Sequence, residues 1–210
     1  MKIALVGITG KIGSQIALEA KKRGHSVTGI SRHKTPTSGE LALFPIAIAD
    51  IFDQRALAAA AKGHDILASA FGPPPDAIST LPDAARALVA AARAAGIKRV
   101  IVVGGAGSLE VSPGVQLVDT AGFPDMYKPY ALAHRDALAV CAQRKIWTGH
   151  SLPRRQRSVR ARKRASSGWN RNLIADVSGQ SRISYGDYAD AFVSEIETGR
   201  YLKEIATAAY

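Results

Sequence analysis

Val6-Gly7-Ile8-Thr9-Gly10-Lys11-Ile12-Gly13 joins an apolar, β-branched run at Ile3–Val6 to a stretch of helical composition at Lys11–Arg23. A turn from strand to helix with glycine at every third position brings backbone amides and the positive end of a helix dipole to one point, with no β-carbon in the way. That geometry suits a diphosphate. The spacing GxxGxxG departs from the GxGxxG dinucleotide fingerprint, so the strand-to-helix context carries the reading more than the glycines do. The alternative is that the glycines only permit a tight turn and close helix packing.

Reading outward, the next apolar run, Val27–Ile30, ends in Ile30-Ser31-Arg32-His33-Lys34. A site for NAD(H) usually carries Asp or Glu there to bind the ribose hydroxyls, whereas a basic residue can meet the 2′-phosphate of NADP(H). No acid is present. Arg32 can face a phosphate bidentately while Ser31 or Lys34 adds a donor, so NADP(H) is preferred over NAD(H). The other reading leaves Arg32 and Lys34 as solvated loop charges. The predicted cofactor-binding set begins with Gly7, Thr9, Gly10, Lys11, Ile12 and Gly13 and continues with Ser31 and Arg32. Asp50 joins it, either toward the adenine amino group or as a cap for a helix over Gln54–Lys62. Ser69-Ala70-Phe71-Gly72 completes it, at the end of a fourth strand where ligands gather in open α/β sheets.

The short runs Ile3–Val6, Val27–Ile30, Pro45–Ala49, Ile66–Ala70 and Val100–Val103 predict five buried strands. Helical patterns cover Lys11–Arg23, Gln54–Lys62, Asp76–Ala95, Tyr130–Gln143 and Tyr185–Thr198, the last with Ser184 and Asp187 at its start. Lys34–Leu43, with Pro36 and Gly39, reads as a loop. Alternation of strand and helix predicts an α/β fold with a Rossmann-type, doubly wound parallel sheet. With 210 residues, 47% of them hydrophobic, the chain is expected to form a single domain over 1–210.

The residues named so far, with Lys98-Arg99-Val100-Ile101-Val102-Val103-Gly104-Gly105-Ala106-Gly107-Ser108, resemble the atypical short-chain dehydrogenase/reductase families, and among them the NmrA-like NAD(P)H-binding group. The resemblance covers Met1 to about Thr148 and resumes at Leu173–Asp176 and Ser181–Ala189. It implies a Rossmann domain with a small C-terminal substrate lobe. It also implies an NAD(P)H-dependent oxidoreductase, a reductase, dehydrogenase or epimerase-like enzyme acting on a small carbonyl, quinone or flavin-type substrate. Relatives that bind the cofactor and regulate partners without turnover supply the alternative, a non-catalytic NAD(P)-sensing protein.

In classical members a Tyr-x-x-x-Lys pair stands beside a serine near the end of the fifth strand; this chain departs from both. Tyr130 is followed by His134 on the same helical face, and Gly104-Gly105 stands where the serine is expected, with Ser108 further on. Tyr130 as proton donor, His134 as its partner and Ser108 as a substrate hydrogen-bond donor form the predicted catalytic set. Packing roles for Tyr130 and His134 are the plain alternative.

The net charge of +11 raises the question of nucleic acid, but eight basic residues and no acidic one fall between Ser151 and Asn172, and the rest of the chain is nearly balanced. The atypical basic segment 149–172 has the length the resemblance implies without its residue pattern. Two compensating frameshifts in GC-rich DNA, a phosphate-binding arm with Trp169 stacking on a base, and a solvated loop are the three readings. Nucleic acid and membrane are not expected as partners; a small-molecule substrate is, and a homodimer is left open. Lone Cys141 and the lack of a charged leader before an apolar run suit the cytoplasm. His25, His33, His64, His134 and His150 show no metal-ligand spacing, so no metal is expected.

Overall fold

The computed structural model describes residues 1–33, 39–143, 147–151, 166–168, 172–175, 181–200 and 205–209. Its backbone is one extended sheet wrapped on both faces. In chain order the elements are β1 (Lys2–Val6), α1 (Lys11–Lys22), β2 (Ser26–Ser31), β3 (Ile46–Ile48), α2 (Gln54–Ala61), β4 (Ile66–Ser69), α3 (Leu81–Ala94) and β5 (Arg99–Gly105). A hairpin of β6 (Glu110–Ser112) and β7 (Val115–Gln116) follows, then α4 (Lys128–Gln143), β8 (Trp147–Ser151), β9 (Ser166–Gly168), α5 (Tyr185–Thr198) and β10 (Ile205–Ala209).

The main sheet runs β3-β2-β1-β4-β5-β8-β10-β9, parallel except for the β9–β10 pair at one edge. The order reverses direction between β1 and β4, and in such sheets a ligand crevice opens at the carboxyl ends of the strands flanking the reversal. The predicted doubly wound parallel α/β sheet is therefore observed, and β8, β9 and β10 extend it beyond the five strands read from the sequence. Residues 152–165, 169–171 and 176–180, on which the basic segment and much of the expected substrate lobe fall, lie outside the described residues, as does Lys34.

Alternation along β1 builds both layers. Ile3 and Leu5 face one side, where Ile16, Ala17 and Ala20 of α1 and Tyr188, Phe192, Val193 and Ile196 of α5 cover them. Ala4 and Val6 face the other, under Leu57 and Ala61 of α2 and Ala84, Leu88 and Ala91 of α3. Strands buried on both faces have no polar side to show, so they read in sequence as continuous apolar runs.

Two boundaries differ from expectation. The helix predicted from Asp76 is a 3-10 run over Pro75–Thr80, broken by non-helical backbone at Ala77, and α3 itself begins at Leu81 with Pro82 in its first turn. Proline cannot donate to the preceding turn, so it starts a helix and does not continue one. Asp50 does not cap α2. Asp53 does, its Oδ1 accepting from the amides of Arg55 and Ala56, both at 3.0 Å. At the far end of the chain the N-cap of α5 is Ser184, whose Oγ accepts from the Asp187 amide at 3.1 Å, as its place in the sequence suggests.

α5 is tied back to the sheet by Arg99, the first residue of β5. Its guanidinium donates to the backbone oxygens of Ile196 at 2.8 Å and Glu195 at 2.6 Å and to the Glu195 carboxylate at 2.7 Å. Glu195 is 3% exposed, which makes this a buried ion pair that also satisfies the carbonyl end of a helix.

Candidate functional site

A cleft of about 250 Å³ opens where the sheet order reverses, between the glycine turn, the end of β2, the start of the β3–α2 turn and the end of β4. Of the predicted cofactor-binding residues, Gly7, Thr9, Gly10, Ser31, Arg32, Ala70, Phe71 and Gly72 line it together.

Two glycines hold the walls of this cleft in contact. Gly7 has φ +81°, and a β-carbon on it would stand 2.6 Å from the Ala70 carbonyl oxygen, so only glycine lets the turn lie against the end of β4. A β-carbon on Gly13 would fall on the Gly7 carbonyl oxygen and 2.8 Å from its carbon, which fixes how closely α1 seats on the turn. Gly10 is the N-cap of α1 in extended geometry. No side chain caps this helix and no acid occupies its first turn. The amides of Lys11, Ile12 and Gly13 are thus left for an outside acceptor, the arrangement that binds a phosphate. Lys11, Ile12 and Gly13 do not line the cleft with their side chains; Lys11 is exposed and Gly13 is buried.

Ser69 and Asp50 also lie behind the lining. Ser69, 1% exposed, accepts from the Phe71 amide at 3.3 Å and shapes the turn that presents Phe71. Asp50 accepts from the Phe52 amide at 2.9 Å, which turns Ala49 and Ile51 into the cleft. Val6, Ile30, His33, Ala49 and Ile51 line the cleft and were not singled out from the sequence. Phe52 and Phe71 meet edge to face, ring centroids 6.0 Å apart at 87°, and stiffen the rim. The basic side chains of the lining are Arg32 and His33, and among the described residues no carboxylate joins them. The cleft therefore combines free helix amides, a close-packed glycine turn and a basic rim, and its residues fit an anionic dinucleotide.

The predicted catalytic residues sit apart from that lining, where α4 packs on the end of β5. The ring of His134 occupies the space a side chain at 105 would need: a β-carbon on Gly105 would stand 2.8 Å from its Cγ and 2.9 Å from its Cδ2. Glycine at 105 is thus required by His134, and a serine there would displace the ring. Ser108 is 4% exposed, and its hydroxyl donates to the Gly105 carbonyl at 3.5 Å. Tyr130 lies one helical turn before His134. Among the described residues no hydrogen bond joins these three side chains.

Burial lowers the pKa of His134 from 6.5 to about 4, so at neutral pH the imidazole is uncharged and does not reproduce the cation that lysine supplies in a Tyr-x-x-x-Lys pair. Because the folded chain resists protonating His134, stability is complete above pH 6.5 and declines as pH falls toward 4. A shift of this size corresponds to as much as about 3 kcal/mol. Thermal unfolding of His134→Gln should lose less stability than the wild type between pH 6.5 and 5, above the range where carboxylates titrate. Parallel pH profiles for the two proteins would remove His134 as the cause.

Comparison with known proteins points the same way. The chain is 35% identical over 210 residues to the uncharacterized protein YwnB of Bacillus subtilis, covering 97% of this chain and 96% of that one. A solved structure described as a "putative exported protein" from Burkholderia pseudomallei is 48% identical, with full coverage of both chains and a TM-score of 0.88. A "putative NADH-flavin reductase" from Streptococcus pneumoniae is 30% identical over 100% of this chain and 99% of that one, with a TM-score of 0.84. Among the described residues no helix is long and apolar enough to cross a membrane. The NAD(P)H-binding family model matches residues 7–148, a span that takes in the glycine turn, all of the cleft lining but Val6, and α4, and the chain belongs to that family.

Proposed function

We propose that the chain is an NADP(H)-preferring oxidoreductase of the NmrA-like, atypical short-chain dehydrogenase/reductase kind. Its substrate would be a small carbonyl, quinone or flavin-type acceptor. The observation that carries the cofactor preference is the rim of the cleft: Ser31 and Arg32 stand at the end of β2 where a carboxylate would select NAD(H), and no acid among the described residues lines the cleft. The amides of Lys11, Ile12 and Gly13 would hold the pyrophosphate, Arg32 and Ser31 the 2′-phosphate, and Ala49, Ile51 and Phe71 the adenine face. The nicotinamide, when bound, supplies a hydride donor.

The chain's own contribution is then binding, orientation and water exclusion, with Tyr130 the hydroxyl on α4 nearest in sequence to His134. Neutral His134 offers a hydrogen bond without charge, and Ser108 is turned toward Gly105. This set is short of a strong proton donor, which suits acceptors that stabilise their own reduced anion. The S. pneumoniae protein's name as an NADH-flavin reductase supports that choice. The same shortage favours the second reading, a cytoplasmic NAD(P)-sensing protein that binds without turnover.

Titration of the protein with NADPH and with NADH by reduced-cofactor fluorescence tests the proposal. Arg32→Ala should weaken NADPH binding by about 10- to 100-fold, as expected for loss of a charge-assisted phosphate contact, and leave NADH within about twofold. Oxidation of bound NADPH by a quinone or flavin in a panel that includes aldehydes would support the reductase, and tight binding with no turnover the sensor. Equal binding of both cofactors by wild type and variant would refute the preference.

A further inference from the structure

β3 ends the main sheet, and among the described residues no strand lies beyond it. The Pro45 carbonyl accepts from the Gly29 amide at 2.9 Å, and the Ala49 amide donates to the Ser31 carbonyl at 3.0 Å. Alternate residues of a strand turn their backbone groups to the same neighbour. Residues 45, 47 and 49 therefore face β2, and Ile46 and Ile48 present N–H and C=O to the outside. Sheet edges are normally blunted by lysine, by proline or by a bulge. Here residues 41–49 hold no charge, the register with β2 is unbroken, and the donor that Pro45 lacks would have faced β2, so the outer side stays open. The side chains agree with the backbone. Ile46 folds inward beside Gly29 and Ile8, whereas Ile48, two residues on, is 63% exposed. Leu43 before the strand and Phe52 after it are 56% and 45% exposed.

We propose that the outer edge of β3 is an interface between two copies of this chain, paired antiparallel about a two-fold axis at Ala47 so that the two main sheets become one. Ile46 then faces the partner's Ile48 and exchanges both backbone hydrogen bonds with it, and Ile48 does the same with the partner's Ile46. Of the self-pairings open to these two outward residues, this one uses both. Ala47 meets the partner's Ala47 as a non-hydrogen-bonded pair, where side chains approach most closely and a small residue fits. The rotation also brings exposed Leu43 and Glu40, before one strand, to the end of the other that holds exposed Phe52 and Arg55, apolar against apolar and acid against base. The carboxylates at that end are engaged within their own copy, Asp50 by the Phe52 amide and Asp53 by the amides of Arg55 and Ala56. Covering Leu43, Ile48, Phe52 and the strand between them buries on the order of 1,000 Å² over both copies, the lower bound of a specific interface, which sets a micromolar dimer.

Sedimentation equilibrium of the full chain from about 1 to about 300 μM should show monomer and dimer exchanging with a dissociation constant of roughly 10 μM, the range of a small interface. Ile48→Lys puts the charge that protects natural edges at a position already exposed. It should raise that constant at least about tenfold and keep the wild-type melting temperature in dilute solution, where both proteins are monomers. Ala47→Cys tests the register. Added diamide, itself reduced, should oxidise the two thiols across the axis to one disulfide and give a covalent dimer. Ile48→Cys, which faces Ile46 and not its own copy, should stay largely unlinked, and Cys141 is buried in both variants. A chain that stays monomeric at every concentration leaves the edge to another partner or to none and overturns the proposal, as does a dimer that Ile48→Lys leaves intact. A dimer lost in Ile48→Lys but not linked through Ala47→Cys overturns the antiparallel pairing.

Discussion

Gly13→Ala is expected to abolish dinucleotide binding and to lower the free energy of unfolding by about 3 kcal/mol. The added methyl has nowhere to go. It would land on the Gly7 carbonyl oxygen, 2.8 Å from the carbonyl carbon and 3.2 Å from the Ile8 Cα, and every one of these atoms is backbone. A flexible side chain can rotate away from an intruding atom, but a backbone carbonyl moves only if its turn moves. Gly7 cannot yield, since it is itself held at φ +81° against the Ala70 carbonyl. Either α1 lifts from the turn or the turn lifts from β4, and both displace the uncapped α1 amides to which the pyrophosphate is assigned in our proposal. Gly24→Ala is the control, because Gly24 has φ +82° but open space around its missing β-carbon. It should cost about 1 kcal/mol, the left-handed penalty alone, with cofactor binding intact. Urea unfolding and NADPH fluorescence on both variants give the answer. Equal behaviour of the two would show that the close approach at Gly13 does not set the site.

The parts of this fold that are legible in the sequence are those set by local interactions. β1, β2, β4 and β5 were readable as apolar runs because strands covered on both faces are apolar nearly throughout, edge strand β3 was readable from its β-branched residues although Ile48 is exposed, and Gly7, Gly10 and Gly13 were readable because they punctuate a strand-to-helix junction. β8 and β10 were not, since Trp147-Thr-Gly-His-Ser and Ile205-Ala-Thr-Ala-Ala lack the dense β-branched run that marked the others. Their place in the sheet comes from pairing with β5 and with each other, which is information between distant segments. The cleft divides the same way. Ser31, Arg32 and Ala70–Gly72 follow strands directly and were found. His33, Ala49 and Ile51 enter the lining because Ser31 pairs with Ile48 and Asp50 engages Phe52, a register and a turn that no single stretch of sequence states. The spacing of Tyr130 and His134 was legible too, but not that the imidazole fills the space left at Gly105, a contact across 29 positions that also leaves the ring uncharged.

Arg99→Met should destabilise the fold by about 3–5 kcal/mol at neutral pH, the cost of breaking a buried ion pair from one side. Arg99 lies just before the predicted strand Val100–Val103 and drew no reading of its own, yet its guanidinium serves three acceptors at once: the Glu195 carboxylate and the backbone oxygens of Glu195 and Ile196. Methionine keeps much of the apolar stem and removes every one of these donors. Glu195 stays 3% exposed within α5, the helix whose Phe192, Val193 and Ile196 cover one face of the sheet, so the loss is felt by the core. Urea unfolding at pH 7 measures the loss, and Arg99→Met combined with Glu195→Gln should recover part of it, because the buried carboxylate is then replaced by a neutral amide of the same shape. A deficit unmoved by the second substitution would mean that the lost carbonyl contacts, and not the ion pair, account for it.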